Sequence, residues 1–177
     1  MDRISPFQLL VNLDGRYRSR AAALPAQQEN REIWSGIGFR MAGNYYVAPM
    51  DEVGEVLPEP RFTLLPGVKR WVRGVANVRG RLLPVMDLCG FLGLSLSDNR
   101  KSRRIMVVEH EGLFAGLTVD EVLGMQHFEV ESFAQTVGEI PASVRPYVHG
   151  TFSRERDWVV FSPYVLATDA GFLDVVA

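Results

Sequence analysis

Cysteine is nearly absent from this sequence, since Cys89 is the only one among its 177 residues. One cysteine cannot form an internal disulfide, and the chain has no CxxC pair of the kind that binds zinc. Long hydrophobic runs are missing too: no stretch of about 18 apolar residues is present, so no membrane-spanning helix is predicted. The first residues lack the basic start and apolar centre of a signal peptide. We therefore expect a cytoplasmic protein without direct membrane insertion.

An excess of one charge is also missing. Nineteen basic residues stand against 21 acidic ones, which gives a formal net charge of −2. Proteins that bind nucleic acid over a whole face usually carry a strong positive charge, so this class is disfavoured. With 47% hydrophobic and 23% charged residues, the composition is that of a globular protein. The length allows one domain, or one domain with two small lobes.

Catalytic signatures are absent as well. The sequence has no phosphate-binding GxxxxGKS/T loop, no GxSxG nucleophile elbow and no HExxH zinc motif. His110, His127 and His149 have no ligand residue nearby in the sequence, so structural roles are favoured over metal binding or catalysis. Cys89 is expected to be a buried, unreactive thiol. We therefore predict no catalytic residue, no cofactor and no metal site, and expect that the protein is not an enzyme.

What the sequence does contain, from Trp34 onward, is short apolar runs separated by Gly, Pro, Asn and Asp. This pattern is typical of short β-strands joined by tight turns, and the runs are rich in the Val, Ile and aromatic residues that favour strands. The predicted strands cover residues 34–41, 44–50, 72–78, 81–87, 103–110, 113–119 and 157–163. Short helices are predicted at residues 87–93 and 163–169.

The segment before these strands has a different texture. Ser5 and Pro6 suit the start of a helix, and Phe7, Leu10 and Val11 would share one of its faces. The predicted organisation is an N-terminal arm and linker at residues 1–32, a β domain at 33–170 and a C-terminal tail at 171–177.

One internal repeat is visible. Residues 43–53, GNYYVAPMDEV, align without a gap with residues 112–122, GLFAGLTVDEV. In each copy a glycine turn precedes a strand and an acidic turn follows it. The repeat predicts one supersecondary unit used twice, in two small barrels that share an apolar interface because neither alone could bury enough surface. The acidic pairs are expected in solvated turns rather than as acid and base groups, since adjacent strand residues point in different directions.

Two basic clusters support a rival interpretation. Residues 69–81, KRWVRGVANVRGR, combine five basic residues with Trp71, and residues 100–104 read RKSRR. Small β-barrels bind oligonucleotides through faces of this kind. Acidic residues lie on both sides of the clusters, so RKSRR is more simply explained as a solvated charge run. A small-barrel nucleic-acid-binding protein is kept as the alternative function.

Residues 72–88, VRGVANVRGRLLPVMDL, closely resemble the central motif of CheW-type chemotaxis adaptors. YYVAPMDEVGEVL at 45–57 resembles the earlier segment of that family, and LFAGLTVDEVLGM at 113–125 resembles the later one. The resemblance covers about residues 33–168. The N-terminal segments PFQLLVNLD and LPAQQE further resemble the CheW-like adaptors of type IV pilus twitching systems.

The resemblance implies a mainly β fold of two five-stranded β-barrel subdomains around a shared apolar interface, with short helices and an N-terminal helical arm. It also implies a role without catalysis. Adaptors of this family couple the cytoplasmic tip of a methyl-accepting chemoreceptor to a CheA-type histidine kinase, and they are cytoplasmic proteins associated with membrane-bound receptor arrays. The implied partners are therefore a chemoreceptor tip and a kinase, with no nucleic acid.

The same resemblance assigns expected site residues. The positions that match the receptor groove of the family are Val53, Glu55, Val56, Arg73, Gly74, Asn77, Arg79, Gly80 and Leu82. The positions that match its kinase-docking segment are Gly116, Val119, Asp120 and Val122, for which a purely structural role in a strand is the alternative.

The residues themselves predict the local structure of the central motif. Arg79-Gly80 is expected to connect two apolar strands by a tight turn, because glycine permits the bend. Arg79 would then project into solvent, where a plain turn residue is the alternative to a binding residue. Asn77 is expected to hydrogen-bond near the turn, Pro84 to mark a strand edge or bulge, and Asp87 to cap a short helix.

Overall fold

The computed structural model describes residues 32–177, so the predicted helix of the N-terminal arm lies outside the described residues. About half of this part of the chain lies in two β-sheets. Its strands are β1 (Ile33–Met41), β2 (Asn44–Pro49), β3 (Glu55–Pro58), β4 (Val72–Val78), β5 (Arg81–Asp87), β6 (Arg104–His110), β7 (Leu113–Val119), β8 (Glu121–Glu129), β9 (Phe133–Ala134), β10 (Val148–Ser153) and β11 (Asp157–Phe161). Its short α-helices are α1 (Leu88–Phe91), α2 (Pro163–Ala167) and α3 (Ala170–Leu173).

The two sheets follow the same plan. The first has the strand order β8-β1-β2-β11-β10-β9, and the second has the order β3-β6-β7-β5-β4. Neighbouring strands are antiparallel, except that β11 runs parallel to β2 and β5 runs parallel to β7. Each strand of one half has a counterpart in the other: β1 and β6, β2 and β7, β3 and β8, β4 and β10, β5 and β11. When every strand is replaced by its counterpart, the order of the second sheet becomes β8-β1-β2-β11-β10, which is the order of the first sheet without β9. Each sheet therefore contains five principal strands, and the predicted repeat extends over the whole β domain.

The repeated hairpins have matching turns. Ala42 and Gly43 join β1 to β2 with φ of 47° and 82°, and Glu111 and Gly112 join β6 to β7 with φ of 46° and 87°. Two consecutive residues with positive φ are what a two-residue type I′ hairpin turn requires. After the second strand of each hairpin, the chain crosses to the other sheet. Each sheet therefore takes strands from both halves of the sequence, a feature that the sequence did not predict.

The main hydrophobic core lies between the sheets. Phe39 and Tyr46 of the first sheet and Met106 and Leu117 of the second are fully or almost fully buried in one cluster. Burial of each such side chain contributes about 1.5–3 kcal/mol, so the contact between sheets is the principal source of stability. The predicted shared apolar interface is confirmed.

The central motif folds as its residues predicted. β4 and β5 are paired from Val72–Met86 to Val78–Arg81, and Arg79-Gly80 is the turn between them. Pro84 pairs in register with Val75 and forms no bulge, but pairing of β5 with β7 begins only at Val85, so one edge of the strand is unpaired at the proline. Asp87 accepts a hydrogen bond of 2.8 Å from the Gly90 amide and caps α1.

The C-terminal segment packs against the body of the domain. Phe172, in the segment predicted as a tail, is fully buried, and its ring lies 5.1 Å from that of Phe91. Val176 forms a β-bridge with Val68, and the Ala177 amide donates to the Gly67 carbonyl at 3.0 Å. Among residues 32–177, no helix has the length and apolar character needed to span a membrane.

Candidate partner-binding groove

The β4–β5 turn holds an arginine in an unusual backbone conformation. Arg79 has a φ of 52° and Gly80 a φ of 80°, so both residues are left-handed. The Asn77 side chain accepts a hydrogen bond of 2.9 Å from the Gly80 amide and closes the turn, as the sequence predicted. Residues other than Gly, Asn and Asp rarely have a positive φ, because this backbone conformation costs them roughly 1–2 kcal/mol. The turn thus keeps an arginine where a small residue would fit with less strain.

The Arg79 side chain meets one carboxylate. Its Nη2 atom lies 2.6 Å from Glu55 Oε1 at the start of β3. The arginine side chain is 77% exposed and that of Glu55 is 32% exposed. An ion pair this exposed contributes only about 0–1 kcal/mol to folding stability. The contact therefore orients the guanidinium more than it stabilises the fold.

A second arginine lies two residues further along. Arg81 donates two hydrogen bonds to Glu109 of β6, at 3.3 and 3.1 Å, and its guanidinium carbon is 3.9 Å from the centre of the Phe114 ring. The hydrogen bonds and charge of Arg81 lower the pKa of Glu109, and donation to the Glu109 carboxylate raises the pKa of Arg81. Both side chains remain more than half exposed. Sequence reasoning gave Arg81 no site role.

A groove of about 270 Å³ connects these groups between the β4–β5 hairpin and the β3–β6 pair. Its apolar part comes from side chains of β4 to β7, and its rim carries both arginines and both glutamates. The lining residues are Gly54, Glu55, Val78, Arg79, Arg81, Leu83, Val107, Glu109 and Phe114. Leu82, beside Arg81 on β5, is 69% exposed and adds an apolar surface next to the turn.

Other expected receptor-contact residues lie behind the groove. The Arg73 guanidinium faces Asp87 at 3.7 Å and lies over the Phe62 ring at 5.4 Å, so it is held within the protein. Gly74 has a φ of 146°, and a Cβ there would come 2.1 Å from the Thr63 carbonyl oxygen. Both residues therefore position β4. Val53 and Val56, on either side of Glu55, are half-buried and pack against the main core.

Three of the four expected kinase-contact residues have no exposed side chain. Val119 is fully buried, and a Cβ on Gly116 would come 2.5 Å from Ile105. Asp120 is 5% exposed, and its carboxylate accepts hydrogen bonds from the Ser97 amide at 2.5 Å and the Ala42 amide at 2.9 Å. Val122 is half-buried and packs against the main core. The structure does not bring these four residues to the groove.

The expectation that both acidic pairs lie in solvated turns is wrong. Asp120 braces the crossing from β7 to β8 from a buried position. Glu52 braces the crossing from β2 to β3, because it accepts hydrogen bonds from the Ser162 hydroxyl at 2.7 Å and the Tyr164 amide at 2.9 Å. Each carboxylate satisfies donors from a segment distant in sequence. Only the tertiary contact reveals this role.

Cys89 is buried in α1, as the sequence predicted. Burial, reinforced by the nearby Asp120 and Asp87 carboxylates, raises the pKa of its thiol to about 12. Burial therefore disfavours the reactive thiolate at neutral pH, in agreement with a structural role. Within residues 32–177, no three His, Cys, Asp or Glu side chains are grouped so that they could hold a metal ion.

The basic clusters are not free cationic patches. Four of the five basic residues in 69–81 face carboxylates: Lys69–Asp174, Arg73–Asp87, Arg79–Glu55 and Arg81–Glu109. In the other cluster, Arg103 is buried and donates to the Ser97 carbonyl at 2.6 Å, so the expectation of a wholly solvated charge run is wrong. A nucleic-acid backbone is bound by several cations along one face, and pairing or burial of five of these nine basic residues disfavours that alternative.

Comparison with known proteins gives consistent results. The family model of the CheW-like domain matches residues 35–170, which span both sheets. Protein PilI of Pseudomonas aeruginosa is 64% identical over 171 residues, which cover 97% of this chain and 96% of PilI. The chemotaxis protein CheW of Helicobacter pylori is 26% identical over 125 residues, 69% of this chain and 76% of that protein. The crystal structure of the scaffolding protein TtCheW from Thermoanaerobacter tengcongensis matches with a TM-score of 0.67 and 25% identity, over 79% of this chain and 96% of that one.

Proposed function

Because this chain belongs to the family of CheW-like proteins, as its motifs indicated, we propose that it is a non-catalytic scaffold adaptor that couples a chemoreceptor to a CheA-type histidine kinase. The predicted CheW-like fold is confirmed by the similarity to TtCheW. High identity to PilI over nearly the whole chain, together with the resemblance of residues 6–14 and 24–29 to twitching-system adaptors, supports a pathway that controls type IV pilus twitching motility. In this proposal the protein acts in the cytoplasm at membrane-bound receptor arrays.

The observation that carries the proposal is the position of Arg79. Its left-handed backbone costs roughly 1–2 kcal/mol, and its exposed contact with Glu55 restores about 0–1 kcal/mol. Folding alone therefore gives no reason for an arginine at this turn. Ala42 and Glu111 have the same conformation in two other hairpin turns, so the strain alone does not mark a site. What distinguishes Arg79 is an exposed guanidinium at the edge of a groove, held by Glu55.

The expected receptor-contact residues take two roles in this proposal. Glu55, Arg79, Gly80 and Leu82 form the surface that meets the chemoreceptor tip. The remaining residues set the geometry of that surface, since Asn77 closes the turn, Arg73 and Gly74 position β4, and Val53 and Val56 fix β3 on the core.

The kinase surface is proposed at the start of β8. Val122 is the one residue of its set that combines partial exposure with a place on a strand face. Asp120 and Val119 would act indirectly, by fixing the crossing between β7 and β8, and Gly116 by allowing Ile105 to pack closely on β7. This arrangement separates the kinase contact from the receptor groove, as an adaptor requires.

Binding measurements on charge variants test the proposal. Arg79→Ala is expected to weaken binding of a purified chemoreceptor tip tens of times, because truncation of an arginine at an interface centre costs about 2 kcal/mol or more. Arg79→Glu is expected to be worse, through repulsion of Glu55 and of acidic partner groups. Both variants should melt like the wild type and bind the kinase normally. Val122→Asp should instead weaken binding of the kinase and leave binding of the receptor tip unchanged. Wild-type receptor affinity in Arg79→Glu would refute the groove assignment.

A further inference from the structure

The unassigned arginine of the groove is as well placed to meet a partner as Arg79. We propose that Arg81, stacked on Phe114 and oriented by Glu109, is a second anchor of the groove that binds a carboxylate of an acidic partner segment and so selects between partners. This inference rests on the proposed receptor-binding function of the groove. It assigns that groove a preferred chemistry, which is a segment with two acidic side chains within reach of two neighbouring guanidinium groups.

Strand register places the two ion pairs side by side. Glu55 of β3 lies opposite Val107 of β6, and Glu109 is two residues further along β6. Residues two apart on a strand point to the same face, so both carboxylates project from one face of the β3–β6 pair. Arg79 and Arg81 reach them from the β4–β5 hairpin. The groove is therefore bordered by two ion pairs over one apolar floor.

The balance of donors and acceptors favours an acidic partner. A guanidinium has five N–H donors, and the contacts with Glu55 and Glu109 use only some of those on the two arginines. The charged groups that line the groove are these two arginines and two glutamates. A partner carboxylate could engage the unused donors, and paired N–H to carboxylate contacts are among the strongest hydrogen bonds in proteins. A lysine would instead compete with the arginines for glutamates already occupied.

Phe114 prepares Arg81 for this contact. The guanidinium lies 3.9 Å from the ring centre, close enough for stacking, and the two hydrogen bonds to Glu109 fix its plane. A side chain held in one orientation before binding loses less conformational entropy in the complex. A lysine at this position would offer neither the planar group nor the paired donors.

The other half of the repeat contains a matched control. Arg40 of β1 lies opposite Tyr45 of β2, just as Glu109 of β6 lies opposite Phe114 of β7. The Arg156 guanidinium lies over the Tyr45 ring at 4.4 Å, as that of Arg81 lies over Phe114. The arginine–aromatic stack is thus repeated, but an arginine replaces the glutamate and no residue of this second stack lines the groove. Arg156→Ala removes the same chemistry outside the proposed site.

The experiment measures the affinity of the full-length chain for a recombinant hairpin that carries the cytoplasmic tip of a chemoreceptor from the same bacterium. Arg81→Ala is expected to weaken binding about tenfold, and Arg156→Ala to leave it unchanged. Glu109→Gln keeps an oxygen that accepts from Arg81 and still orients it, but removes the competing negative charge, so this variant is expected to bind at least as tightly as the wild type. A tip with its acidic residues changed to glutamine should bind weakly and be insensitive to Arg81→Ala.

The outcomes separate this inference from the function on which it rests. If Arg81→Ala and Glu109→Gln weaken binding equally, the ion pair is only structural and the inference is overturned. The inference also fails if Arg81→Ala and Glu109→Gln leave the affinity unchanged while Arg79→Glu abolishes binding. In that case the receptor groove is supported, but Arg81 is not one of its anchors. If Arg79→Glu binds normally, the proposed function itself fails. Matching melting temperatures confirm that each variant is folded.

Discussion

Arg79 and Glu111 occupy the same kind of position in two different hairpins. Each is the first residue of a two-residue turn and has a positive φ, 52° for Arg79 and 46° for Glu111. Asn-Gly is the preferred sequence for such turns, because asparagine accepts the left-handed conformation at low cost. An arginine at this position therefore makes the turn less stable than an asparagine would.

Replacement of Arg79 by asparagine should separate stability from binding. Arg79→Asn relieves the backbone strain and loses an ion pair of about 0–1 kcal/mol, so the variant should be as stable as the wild type or up to about 1 kcal/mol more stable. Its affinity for the chemoreceptor tip should nevertheless fall. Urea denaturation and titration of the tip measure the two effects.

Glu111→Asn provides the control, since it relieves the same strain at the β6–β7 turn, which is not part of the groove. It should gain similar stability and keep full binding. A clear loss of stability in Arg79→Asn would show instead that the arginine supports the fold.

At the scale of elements, α3 depends on a single capping carboxylate. Asp169 accepts hydrogen bonds from the Gly171 amide at 2.7 Å, the Phe172 amide at 3.0 Å and the Tyr147 hydroxyl at 2.9 Å. A helix of four residues is not stable alone, so these bonds and the burial of Phe172 hold it in place. The cap thus fixes the C-terminal segment on the core.

The Asp169 cap should make stability depend on pH. Burial disfavours ionisation, but the hydrogen bonds from Tyr147, Phe172 and Gly171 outweigh it and lower the pKa of Asp169. Its stabilising effect is therefore complete above the unfolded-state pKa of 3.8 and is lost as the pH falls through the lower folded-state pKa. Asp169→Ala should cost about 1 kcal/mol at pH 7, as lost caps usually do.

Asp169→Asn is the matched variant, because asparagine keeps the capping function without the charge. It should be less sensitive than the wild type to acidification below about pH 4. Thermal melts of both variants at neutral and acidic pH measure the difference. Equal acid sensitivity of wild type and Asp169→Asn would contradict the assignment.

Element prediction succeeded where the pattern was local. The predicted β4 and β5 strands, with their Arg79-Gly80 turn and the Asp87 cap, depend on residues adjacent in sequence, and all are observed. β8 and β10 were not predicted, because Glu121–Glu129 and Val148–Ser153 contain many polar residues and glycines. These strands are specified by their partners β1 and β11 instead.

The candidate site was predictable to a similar degree. Motif resemblance identified Glu55 and Arg79, which the structure brings together at 2.6 Å. Arg81, Glu109 and Phe114 were missed, because their contact joins three strands that only the folded sheet brings together. A signal was present in the second arginine of the RGR sequence, but its partner carboxylate could not be identified without the β5–β7 and β6–β7 registers.

At the scale of the whole molecule, the halves of the sequence should not fold separately. In the first sheet, β1 and β2 of the N-terminal half pair with β8 and β11 of the C-terminal half. In the second sheet, β3 and β5 of the N-terminal half pair with β6 and β7 of the C-terminal half. Fragments 1–98 and 99–177, divided in an exposed loop, should each lack a cooperative thermal transition, and their mixture should regain the native circular dichroism spectrum. A protease site inserted at the same place and cut after folding should leave the two pieces associated.

A cooperative transition in either isolated fragment would contradict this expectation. It would show that one sheet is stable without the strands of the other half. Amide dispersion in nuclear magnetic resonance spectra distinguishes such a fold from a collapsed but unstructured chain.

The exchange of strands between halves also imposes an order on biosynthesis. Tyr46 of β2 pairs with Val159 of β11, so the first sheet stays incomplete until β11 has left the ribosome, long after β2. Until then the β1–β2 hairpin exposes two unpaired edges and the apolar face that carries Phe39 and Tyr46. Such nascent surfaces are prone to aggregation. The arrangement that unites the folded protein therefore leaves the β1–β2 hairpin dependent on a strand that is translated much later.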